Sequence, residues 1–200
     1  MSEQADGNTA PPARPDAELV RAARRGDAGA FDALVARYQR QATAVAFRLL
    51  NDRDDAMEVV QDAFLKAFDK LGTLLRPGRF GPWLLRITNN LSLNRRRRRA
   101  LRRAASLEAM GETDDGRGYE LPDLHAVDGE SAASAEDVRR LIARGLDELP
   151  TMQRQALVLF SVQKMPQKKV AEILGCSVEA VKWHVFTARK KLKERLKDYL

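Results

Sequence analysis

A single cysteine, Cys176, occurs in 200 residues. That excludes a disulfide framework and a zinc site built on cysteines. Only two histidines are present, His125 and His184, and they lie in different regions of the chain. Neither has the neighbours of a catalytic triad or a metal-ligand cluster, so no catalytic residue, no metal and no cofactor is expected. Long apolar runs are missing too, which argues against membrane insertion. No signal-peptide pattern opens the chain, and the expected setting is cytoplasmic. Nowhere do apolar and polar residues alternate as in a half-buried strand, and no internal repeat is visible. The fold class expected from these absences is all-α.

Charge is what the chain does have. The formal net charge is +7, which favours a polyanionic partner but carries no information on sequence specificity. Its distribution divides the chain. Residues 1–15, rich in Ala, Pro, Gly and polar side chains, read as a disordered tail. Residues 16–103 are helically patterned. Residues 104–137 are rich in acidic side chains (Glu108, Glu112, Asp114, Asp115, Glu120, Asp123, Asp128, Glu130 and Glu136, with Asp137 at the boundary) and hold several glycines, and read as a flexible acidic linker. Such a segment is either a solvated spacer or an occupant of a positively charged channel in a partner. Helical patterning returns in residues 138–200, now strongly basic. The expectation is two small helical domains joined by that linker.

In the first domain, Phe31, Leu34, Val35, Tyr38, Ala42, Val45, Ala46 and Leu49 follow the three-four spacing of a buried helix face. Asn51-Asp52-Arg53-Asp54 breaks that helix and can cap the next. Ala56, Val59, Val60, Ala63, Phe64, Ala67, Phe68 and Leu71 form a second apolar stripe. Its opposite face carries Glu58, Gln61, Asp62 and Leu65. An exposed leucine is ordinary, yet an apolar centre among carboxylates suits a protein partner better than DNA. Residues 72–81, with Pro77 and Gly78, read as a loop, and Pro82 suits the first turn of a new helix. On that helix Arg86, Asn90, Asn94 and Arg97 share a stripe. Amide side chains can read base edges and arginines can hold phosphates; the alternative is that they are solvated. The run Arg95-Arg96-Arg97-Arg98-Arg99, followed by Arg102 and Arg103, contains no acidic residue.

The second domain opens with an amphipathic helix through Val138, Leu141, Ile142, Gly145, Leu146 and Leu149, stopped by Pro150. Thr151 is the expected cap of a helix over Met152–Gln163. Val170-Ala171-Glu172-Ile173-Leu174-Gly175 then leads through Cys176 and Ser177 into a second helix. Ala171 is small where backbones must approach, and Gly175 can take a positive φ. This is the pattern of a helix-turn-helix whose second helix fits a DNA major groove. Lys182, Trp183, His184, Thr187, Arg189 and Lys190 are its candidate DNA contacts, with Trp183 open to either a DNA-facing or a packed role. Cys176 reads as a small packing residue.

The order of these pieces resembles the extracytoplasmic-function sigma factors, the minimal group of the bacterial sigma-70 family. The resemblance rests on Arg25-Gly26-Asp27 with Ala30-Phe31, Asp55-Ala56, Val60-Gln61-Asp62-Ala63-Phe64, Pro82-Trp83-Leu84-Leu85-Arg86-Ile87 and Asn90-Leu91. It continues in Leu149-Pro150 with Arg154, Val170 to Gly175, Val181-Lys182 and Ala188-Arg189-Lys190-Lys191-Leu192. It implies a promoter-specificity subunit, not an enzyme, whose partners are core RNA polymerase and promoter DNA. Asp55, Glu58, Gln61, Asp62 and Leu65 would bind the polymerase. Arg79 and Phe80, with Arg86, Asn90, Asn94 and Arg97, would hold the minus-ten element, the loop before them capturing a flipped base. Lys182 to Lys190 would read the minus-thirty-five element. An anti-sigma protein is a further partner known in the family. Three positions depart from its usual pattern: Lys169 stands where an acidic residue is common, Glu179-Ala180 replaces Gly-Thr, and Trp183-His184 replaces Ser-Arg. Two rival readings are a dimeric transcription factor with a similar helix-turn-helix and a basic helical RNA-binding adaptor.

Overall fold

The computed structural model describes residues 14–111 and 135–197. All but the last two residues of the expected tail, and residues 112–134 of the expected linker, lie outside the described residues. Helices α1 (Asp16–Arg24), α2 (Ala28–Leu50), α3 (Arg53–Asp69) and α4 (Phe80–Gly111) make one unit. A second consists of α5 (Ala135–Asp147), α6 (Thr151–Leu157), α7 (Gln167–Leu174) and α8 (Val178–Leu196). No strand occurs among the described residues.

The first unit is built from the two expected apolar stripes. Phe31, Leu34, Ala42, Val45, Ala46 and Leu49 of α2 are buried, as are Ala56, Val59, Val60, Ala63, Phe64 and Ala67 of α3. These faces pack on each other and on α4. Between α2 and α3 the chain turns through Asn51 at φ 51°, a left-handed value that asparagine tolerates. The Asp52 carboxylate then caps α3, accepting the Asp55 N–H at 3.0 Å. Phe68 departs from its expected place in the stripe. Its ring meets Phe31 edge-on at 5.0 Å but stays 55% exposed.

The segment before α4 is a pair of 3₁₀ turns, Leu71–Thr73 and Pro77–Arg79. The Arg24 guanidinium anchors it by donating to the carbonyls of Leu71, at 2.8 Å, and Leu74. Gly81 allows α4 to meet α2: a Cβ there would lie 2.6 Å from the Tyr38 ring. Burial, reinforced by the hydrogen bond its hydroxyl donates to Asp16, raises the pKa of Tyr38.

Two boundaries differ from expectation. Helix α4 runs to Gly111, beyond Arg103, because Ala104, Ala105, Leu107, Ala109 and Met110 are good helix formers that the acidic composition masked. Helix α5 begins at Ala135 rather than Val138.

In the second unit, Pro150 and not Thr151 holds the cap position of α6, without a side-chain cap. The helix expected to reach Gln163 is α6 followed by a wider π turn, Val158–Val162. Arg154, only 6% exposed, donates to the Leu149 carbonyl at 3.0 Å and ties α6 to the end of α5. Gly175 has φ 69°, its N–H donates to the Ala171 carbonyl at 2.8 Å, and Ser177 caps α8 by accepting the Ala180 N–H at 3.0 Å. Val170, Ala171 and Ile173 of α7 and Val181, Val185 and Ala188 of α8 are buried.

The two units touch. Helix α7 packs against α4, Arg79 pairs with Glu172 at 3.1 Å, and Arg96 pairs with Asp147.

Candidate nucleic-acid and protein interfaces

Three surfaces carry the residues singled out by sequence. The first is the outer face of α3. Asp55 is largely enclosed, bound by Arg95 at 2.7 Å and by Arg99 at 3.5 Å, and Glu58 also pairs with Arg95. Hydrogen bonds from Arg95 to Asp55 and then Glu58 raise the guanidinium pKa further. Gln61, Asp62 and Leu65 are exposed. Leu65 is not a lone surface leucine. Met57, Phe68 and Phe47 are exposed as well, and together they border an open groove between α2 and α3 whose floor includes Phe31 and Phe64. An exposed apolar patch rimmed by polar residues marks an interaction surface.

The second surface is the stripe along α4. Arg86, Asn90, Asn94 and Arg97 are all exposed, at the spacing the helix requires for one face. Arg79 is exposed too, but its guanidinium is engaged by Glu172. Arg86 reaches across to α7, its guanidinium within 3.6 Å of the Cβ position of Gly175. Phe80 has to be corrected. It is 0% exposed, with the rings of Tyr38, Trp83 and Phe31 at 5.6, 6.0 and 6.3 Å, so it is a core residue rather than a surface one. Asn89 separates from its neighbours: it is buried, and its Oδ1 has no hydrogen-bond partner among the described residues.

The third surface is α8. Lys182, Trp183 and Lys190 are exposed, and Thr187 is half-buried beside them. His184 lies on the flank, half-buried, with its Nδ1 enclosed and the Trp183 ring edge-on at 5.0 Å. Arg189 turns back toward its own unit, donating to Ser161 Oγ at 3.0 Å and lying 5.7 Å over the Phe160 ring. Phe186, not singled out by sequence, is 69% exposed. The signal was available: it shares the outward helix face with Trp183 and Lys190, opposite Val181, Val185 and Ala188. Burial raises the thiol pKa of Cys176, in keeping with a packing role rather than a reactive thiolate. No group of acidic, histidine and cysteine side chains among the described residues could hold a metal ion, and no described helix is long and apolar enough to cross a membrane.

Comparison with known proteins gives these surfaces a context. Residues 34–102 match the family model for sigma-70 region 2, and residues 139–192 match that for sigma-70 region 4. The chain is 29% identical over 186 residues to the RNA polymerase sigma-H factor of Pseudomonas aeruginosa, covering 92% of this chain and 95% of that one. It is 28% identical over 186 residues to the ECF RNA polymerase sigma-E factor of Escherichia coli (strain K12), covering 92% and 96%. Among solved structures it resembles CnrH in complex with the cytosolic domain of CnrY, with a TM-score of 0.65, 28% identity and coverage of 92% and 97%. It also resembles the sigma factor RpoE in complex with the anti-sigma factor NepR from Bartonella quintana, with a TM-score of 0.57, 25% identity and coverage of 84% and 96%.

Proposed function

The chain belongs to the extracytoplasmic-function group of the sigma-70 family, and from that membership we propose how its surfaces divide the work of promoter selection. As a sigma factor it binds core RNA polymerase and promoter DNA and directs transcription initiation at specific promoters. Sigma factors act without catalysis of their own, and in our reading this chain adds none.

The polymerase docks on α3 and the adjoining groove. The observation that carries this is the apolar patch of Leu65, Met57, Phe68 and Phe47 beside exposed Gln61 and Asp62. Asp55 and Glu58 act one step behind it, orienting Arg95 and Arg99. The α4 stripe of Arg86, Asn90, Asn94 and Arg97 meets the minus-ten element, with Arg79 at its head, and helps hold the melted strand. Helices α7 and α8 form the helix-turn-helix that docks on the minus-thirty-five duplex through Lys182, Trp183, Thr187 and Lys190. His184 supports the Trp183 ring from the flank. The acidic stretch between the units joins the two DNA-binding domains and runs toward the polymerase active-site channel. Each DNA surface is small, so tight promoter binding needs both held on one enzyme. The RpoE neighbour is bound to an anti-sigma factor, and on that likeness an anti-sigma partner belongs to the proposal. So does a cytoplasmic location, where polymerase and promoter are found.

Run-off transcription with core polymerase and a library of upstream sequences tests the whole reading, which expects defined start sites. Asp62→Arg tests the docking face. A charge reversal at a desolvated contact should weaken core binding about tenfold or more, read by fluorescence anisotropy, with the helical circular-dichroism signal unchanged. Core binding that survives the reversal removes α3 from the interface.

A further inference from the structure

The outward face of α8 carries two large aromatic rings. Trp183 is 57% exposed and Phe186 69% exposed. Three residues apart on one helix, they lie opposite buried Val181, Val185 and Ala188, with Thr187 and Lys190 on the same side. Lys182 and Lys190 are exposed next to the pair, and Lys191 and Lys193 continue the basic character beyond it. Glu179 is the one acidic residue in the first turn of α8.

An apolar centre between ammonium groups is an unusual surface. Lysine is depleted where proteins bury surface against one another, so the flanks do not suit a protein partner. They do suit the phosphate rails of duplex DNA. Between those rails the major groove offers one prominent apolar group, the thymine C5-methyl, and apolar side chains are known to read it. The spacing agrees. Three residues advance an α-helix about 4.5 Å, while bases of one strand follow each other at about 3.4 Å, so the two rings reach neighbouring base pairs. The indole N–H is a donor only. It can meet thymine O4 but not the amine that cytosine presents in the same groove.

We propose that Trp183 and Phe186 make α8 a reader of thymine methyl groups, so that the upstream duplex this chain prefers carries thymines at adjacent base pairs. The inference rests on the reading above that α8 faces the minus-thirty-five element.

The test uses the full chain bound to core RNA polymerase. Promoter duplexes randomised over the upstream element are presented, and the retained fragments are sequenced; adjacent thymines should be enriched. The best fragment is then remade with deoxyuridine at those thymines, which removes the methyl group and leaves pairing and O4 in place. Affinity should fall about fourfold per methyl lost. In the Trp183→Ala, Phe186→Ala double variant, whose folding is checked by circular dichroism, the thymine-to-uracil affinity ratio should fall close to one. A holoenzyme that selects upstream sequence yet ignores the methyl group overturns this inference alone, and that measurement needs only the unaltered protein. A ratio that persists in the double variant assigns the methyl contact to other residues and overturns it as well. A holoenzyme that selects no upstream sequence at all overturns the placement of α8 on DNA, and the methyl reading falls with it.

Discussion

Asp52 shows how much a single side chain can do at a helix start. Its carboxylate accepts the Asp55 N–H and lies 3.2 Å from Arg99. The backbone donor first, and Arg99 after it, hold its pKa below the ordinary carboxylate value. With the folded pKa depressed, the stabilisation is complete above the unfolded value of about 4. It is lost as pH falls through the lower native pKa. Asp52→Ala should therefore lower unfolding stability by about 1 kcal/mol at neutral pH, measured by urea denaturation. The gap from the parent protein should narrow toward pH 3, and a gap that widens there would mean the cap acts through something other than the ionised carboxylate. This cap could be read in the sequence, since Asn51-Asp52 interrupts one apolar stripe just ahead of another. The burial of Phe80 could not. Next to Pro77 and Gly78 it reads as a loop residue, and only the rings of Phe31, Tyr38 and Trp83 converging from elsewhere in the chain show it to be core. Arg189 was illegible for the same reason, since Ser161 and Phe160 are remote in sequence.

Among elements, the best-read parts were those defined by local rules. Three-four periodicity located α2 and α3, and Gly175 marked the turn between α7 and α8. Gly175→Ala tests that turn. At φ 69° the backbone is left-handed, while the nearest atom to an added Cβ, on Arg86, is 3.6 Å away. Space is adequate, so the penalty should be conformational, about 1–2 kcal/mol, seen as a lower urea midpoint. A neutral result would mean that the turn relaxes to another geometry. Boundaries set by composition fared worse. Carboxylates and glycines made residues 104–137 look uniform, and hid the good helix formers that carry α4 to Gly111. On α8, Phe186 fell beside the buried Val185 and drew no notice, although helical spacing places it with Trp183.

For the molecule as a whole, division into two basic helical units was legible from charge and patterning, and their mutual contact was not. Arg79 meets Glu172 across 93 residues, and Arg96 meets Asp147 across 51. Both pairs are partly exposed, so each contributes at most about 1 kcal/mol and is screened by salt. Replacing Glu172 and Asp147 together by alanine should increase the radius of gyration in small-angle X-ray scattering, and raising ionic strength should act in the same direction. Unchanged scattering would show that the packing of α7 on α4 holds the units without those charges. The arginine tract bears on the same balance. Within 95–99, Arg95, Arg96 and Arg99 already neutralise carboxylates of the chain itself. A tally of positive side chains thus overstates how many condensed cations the tract can displace from a nucleic-acid backbone. While those internal clasps persist, the electrolyte sensitivity of promoter capture belongs to fewer guanidinium groups than the sequence displays.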